Sequence, residues 1–73
     1  MEVISTTNLS RYGNDCYIEE SVSLVEQFDL YAVIRFYKVS GWSEHEEVSV
    51  LITTSNKSEA GKKYKESCKF YKS

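Results

Sequence analysis

The alternation across residues 30 to 37 constrains this chain most. Leu30, Ala32, Ile34 and Phe36 fall on one side of an extended backbone; Tyr31, Val33, Arg35 and Tyr37 fall on the other. A period of two, in a segment rich in β-branched and aromatic residues, specifies a strand. Residues 46 to 53 repeat the pattern, with Val48, Val50 and Ile52 on one side and Glu47, Ser49, Leu51 and Thr53 on the other. Between the two runs lie residues 38 to 45, with Ser40-Gly41 as the turn signal. Alternating strands joined by so short a connection form an antiparallel hairpin. The Ile34 and Val50 sides are taken as the core, which leaves Tyr17, Val25, Tyr31, Val33, Tyr37 and Leu51 pointing outward.

The C-terminal segment changes period. Ala60, Gly61, Tyr64, Ser67, Cys68 and Tyr71 share one arc at 3.6 residues per turn, and Lys62, Lys65, Lys69 and Lys72 share the opposite one. Asn56 is placed to cap this helix, and Glu59 stands where a capping-box acid belongs. Small Ala60 and Gly61 are expected to let the helix approach the sheet closely. That would explain a glycine whose propensity cost is ~1 kcal/mol relative to alanine.

Residues 16 to 25 admit two readings. As a strand they put Cys16, Ile18, Val22 and Leu24 on one side, with Glu20 as the misfit. As a helix they stack Ile18, Val22 and Val25, with Asp15 as N-cap. Serine and β-branched content favours the strand. Gly13-Asn14-Asp15 marks a turn before it. Residues 1 to 12 form either a further strand around Glu2 to Ser5 or an irregular arm. The architecture expected is α+β: one domain over residues 1–73, with a three- or four-stranded antiparallel sheet and one C-terminal helix packed on one face. Strands are placed at about 16–25, 30–37 and 46–53, and the helix at about 57–70.

Size bounds function. Seventy-three residues bury only ~60–65% of the unfolded surface, so one thin core forms and a deep substrate cavity does not. Ten aromatics and 41% hydrophobic residues exceed what a disordered chain carries. No apolar run approaches the ~18 residues of a membrane span, and the N-terminus lacks a signal-peptide pattern. The expected setting is cytoplasmic. Cys16 and Cys68 are too few for a disulfide framework and read as reduced, buried thiols. No Cys-x-x-Cys pair or second histidine supports a metal site. No serine occupies a nucleophile elbow and no glycine loop cradles a phosphate. The chain reads as non-enzymatic, with no cofactor.

Charge is divided along the chain. Residues 1–55 carry nine acids against three bases, net −6; residues 56–73 carry six lysines against two acids, net +4. Such a dipolar surface steers charged partners. The expected partner-binding residues are Trp42, Glu44, Glu46 and Glu47 on the hairpin, with Tyr31 and Tyr37 on the outer sheet face. Tryptophan is enriched among interface anchors, although it can also shield a sheet edge. An acidic surface suits a protein partner with a basic groove. The function expected is therefore a protein-binding inhibitor or adaptor, of the kind phages direct at nucleic-acid-handling host proteins. One alternative is nucleic-acid binding through Lys62, Lys65, Lys69 and Lys72, against which stand the absence of arginine in the stripe and the acidic remainder. Another is a structural homodimer.

Overall fold

The computed structural model describes residues 1–41 and 43–72. It contains β1 (Glu2–Asn8), β2 (Arg11–Gly13), β3 (Cys16–Gln27), β4 (Leu30–Ser40), β5 (His45–Thr54) and α1 (Lys57–Lys72). The sheet has five strands in the order β1-β3-β4-β5, with β2 also pairing β3. All pairings are antiparallel. β1 lies along residues 21–26 of β3 and β2 along residues 16–18, so the two share one edge. Residues 1–12 thus lengthen the sheet instead of folding over a face, and the strand count exceeds the three or four expected. The ambiguous segment at 16–25 is a strand. The short chain reversal at Phe28–Asp29 commits it to pair with β4 over its whole length.

Register decides which side of the sheet holds the core. Leu24 pairs with Val33 and Val33 with Ile52; Val22 pairs with Arg35. Val22, Leu24, Val33 and Ala60 form the buried cluster, with Tyr31, Leu51, Ile52, Tyr64, Cys68 and Tyr71 packed against it. The expectation that Ala32, Ile34, Val48 and Val50 would share a core with Tyr64 and Cys68 is therefore corrected. Val48 and Val50 are 60% and 61% exposed, and Ala32 and Ile34 only half-buried. β4 is apolar on both sides, so its own alternation is not decisive. β3 breaks the tie: Val22 and Leu24 point one way, Ser21 and Ser23 the other.

A bulge completes this arrangement. Ile34 pairs with Val50 but Val33 with Ile52, which leaves Leu51 as the extra residue of β5. Bulges re-aim side chains, and here Leu51 and Ile52 both reach the core cluster. Strict alternation had separated them.

Asn56 caps α1 as expected, but Glu59 does not close a capping box, because the Asn56 amide donates to Thr54 Oγ1 at 3.1 Å. The Glu59 amide donates to Asn56 Oδ1 at 3.1 Å, and the Ala60 amide donates to the Asn56 carbonyl at 3.1 Å. Ala60 and Ser67 are buried. Gly61 is not needed for close approach: a Cβ there meets nothing within 4 Å. A glycine is required instead at position 41, where a Cβ would lie 2.8 Å from the Asp15 carbonyl oxygen. Cys16 and Cys68 are free and half-buried. The Cα envelope measures 41 × 22 × 15 Å. Its thinnest dimension accommodates a sheet and one further layer, since packed layers sit ~10 Å apart. No helix among the described residues is long and apolar enough to cross a membrane.

Candidate functional site

Paired residues of antiparallel strands share a face, so the register maps the side of the sheet opposite the core cluster. Across it run Glu19, Lys38 and Glu46; then Ser21, Phe36 and Val48; then Ser23, Ile34 and Val50; then Val3, Val25, Ala32 and Thr53. One charged row thus borders a broad apolar field. Val25 is buried, while Val3 is 56% exposed. Toward the β3–β4 turn the field opens into a hollow lined by Met1, Val25, Phe28, Leu30, Ala32 and Ile34 among others. A wet face of an antiparallel sheet is ordinarily polar; this one is polar along its charged row, its β1 and β3 edge (Thr6, Asn8, Ser21, Ser23) and Thr53, with an apolar field on β4 and β5 between them.

The core side holds a charge cluster that sequence reading did not assemble. Glu20 is 2% exposed. Its Oε1 accepts from Arg11 Nη1 at 2.6 Å, and its Oε2 accepts from Arg35 Nε at 2.8 Å and lies 2.6 Å from Arg35 Nη2. The Arg35 guanidinium also lies over the rings of Tyr37, at 4.8 Å, and Tyr71, at 4.3 Å. Burial pushes the Glu20 carboxyl pKa up, but the hydrogen bonds and charges of Arg11 and Arg35 outweigh it and hold the value below the ordinary glutamate range. Both carboxylate oxygens are engaged, so Glu20 joins β2, β3 and β4. Its signal in the sequence is an acid set between apolar Ile18 and Val22 on one strand side. What alternation alone cannot supply is its partners: Arg11 comes from a separate strand, and Arg35 lies diagonal to Glu20 in the register.

The expected binding residues do not converge. Trp42 lies outside the described residues. Glu44 is exposed in the β4–β5 connection. Glu46 pairs with Lys38 on the open face, whereas Glu47 pairs with Tyr37 on the core side. There Glu47 lies 3.6 Å from His45 Nε2 and 3.5 Å from the Ser49 hydroxyl. Tyr31 and Tyr37 were expected to face outward, away from the helix. Tyr31 instead packs on the core cluster, and Tyr37 stacks with Arg35. The Glu26 carboxylate next to Tyr31 raises the phenol pKa, with burial adding to it. Lys62, Lys65, Lys69 and Lys72 are all exposed on α1. Among the described residues, no group of three or more His, Cys, Asp or Glu is placed to hold a metal ion.

These features define an α+β protein with a five-stranded antiparallel sheet and a C-terminal helix. No protein-family model, curated protein or solved structure matches the chain.

Proposed function

We propose that this chain is a non-catalytic protein-binding domain, acting as an inhibitor or adaptor, and that it binds through the sheet face opposite its core. In this reading α1 lies over the Val22–Val33 side and leaves the other side for a partner. The observation that carries it is the exposure of Val48 and Val50, at 60% and 61%, beside half-buried Ala32, Ile34 and Phe36. Contiguous apolar surface of this kind is uncommon unless something docks there. Glu46 and Glu19 at its border, with Glu44 nearby in the chain, favour a partner bearing basic residues around an apolar patch. Size and charge alone extend this reading to an inhibitor of a nucleic-acid-handling host protein, of the kind a phage would encode.

The test is affinity capture from the native host with the wild-type chain and with a Val48→Thr/Val50→Thr variant. These positions are exposed, so folding is retained. Proteins held by the wild type and lost by the variant support the reading; equal capture by both overturns it. The exposure of all four stripe lysines supports a second reading, nucleic-acid binding. It requires micromolar affinity for random DNA or RNA at ~0.15 M salt, falling steeply with salt and abolished by neutralising Lys62, Lys65, Lys69 and Lys72.

A further inference from the structure

Three features that oppose stability meet at the β3–β4 turn. Phe28 and Asp29 have φ of 52° and 62°. Positive φ at both central residues is the type I′ hairpin turn, which favours Asn-Gly or Asp-Gly. A bulky side chain there is strained. The Phe28 ring is 88% exposed. Glu2 pairs directly with Glu26 across β1 and β3, and like charges so placed repel. Local conflicts that persist in a native fold concentrate at functional positions.

The chemistry at this tip selects its partner. The cleft beside Phe28 is lined by Met1, Glu2, Glu26, Gln27, Phe28 and Asp29. An aromatic ring ringed by three carboxylates suits neither an anionic membrane nor a nucleic acid. It suits an apolar hollow rimmed by cations. The chain carries such a hollow: an open space of about 440 Å³ between β1 and α1, lined by Thr7, Tyr64, Lys65, Cys68, Lys69 and Lys72. Its floor is fixed by a 2.6 Å hydrogen bond between the Thr7 and Tyr64 hydroxyls. Thr7 pairs with Val22, which is roughly 17 Å along β3 from Gln27 at ~3.4 Å per residue. The tip therefore cannot reach the hollow of its own chain.

We propose that this chain self-associates head to tail. Phe28 of one copy enters the lysine-rimmed hollow of the next, with Glu2, Glu26 and Asp29 facing Lys65, Lys69 and Lys72. Used in one direction, the contact is heterologous and builds rings or open chains; exchanged reciprocally by two copies, it closes a two-fold dimer. It uses neither Val48 nor Val50, and it shares with the open sheet face only the turn-end hollow that Phe28 also lines.

Sedimentation velocity over a concentration series at low salt tests this with the chain alone. The wild type should form a dimer or larger species and dissociate as salt rises. Phe28→Asn suits the turn, so it should keep the wild-type melting temperature or exceed it while weakening association roughly thirty-fold, the scale of an interface hot spot. Lys65→Glu/Lys69→Glu, at exposed positions, should do the same from the other side. An equimolar mixture of the two variants should restore a two-chain species and stop there, since only one intact tip can meet one intact hollow. A wild type that stays monomeric at its highest soluble concentration overturns the proposal. So does a mixture that stays monomeric, or association lost on Val48→Thr/Val50→Thr but kept by Phe28→Asn.

Discussion

Glu20 shows how one residue organises its surroundings. Its 2% exposure would strand a charge in the core without Arg11 and Arg35. Glu20→Gln should cost about 3 kcal/mol, the low end for breaking a buried pair because Arg11 is half exposed. The folded-state pKa is depressed, so ionised Glu20 contributes stability above the unfolded-state glutamate pKa. That contribution is lost as pH falls through the folded-state value. Denaturant titrations from neutral to acid pH should therefore show a shallower decline for Glu20→Gln than for the wild type. Equal slopes would remove the carboxylate from the account. Gly61 is the opposite case. A Cβ there meets open space, so Gly61→Ala should stabilise by ~0.5–1 kcal/mol through helix propensity alone. A loss of stability in the same titration would mean that the helix does approach the sheet at that point.

At the scale of elements, periodicity located the pieces and register assigned their sides. The β4 and β5 segments and α1 were legible because each repeats its period over several residues, and Asn56 marks the helix start. Asn56→Ala should lower thermal stability by ~1 kcal/mol, the usual worth of an N-cap. An unchanged melting temperature would show that the 3.1 Å cap bond carries no weight. The side of the sheet that holds the core was not legible from β4, whose two faces are both apolar. It depended on the turn at Phe28–Asp29, which sets Leu24 against Val33, and on the β5 bulge. A turn of Phe-Asp lacks the glycine or asparagine signal of a type I′ hairpin, so the sequence offered no cue to the register it imposes. The candidate surface was misjudged for the same reason. Tyr31 and Tyr37 were assigned outward because Ile34 and Val50 were assigned inward.

Over the whole molecule, the consequence is a thin body, 15 Å in its smallest Cα extent, with distinct sheet faces. One sheet face meets the core cluster and Glu20, and the other presents Ile34, Phe36, Val48 and Val50. The charge division survives folding, with acids at both ends of the sheet and lysines along α1. The proposed sheet-face binding depends on which face is covered. The same deletion made on the two faces, at neighbouring positions, tests this most directly. Val33 is fully buried and Val50 is 61% exposed, and both change to alanine by losing the same two methyl groups. In urea denaturation, Val33→Ala should cost on the order of 2 kcal/mol or more, and Val50→Ala less than about 1 kcal/mol, the span of strand propensity. The reverse order, with Val50→Ala the costlier change, would place the core on the Ile34 side and contradict the account.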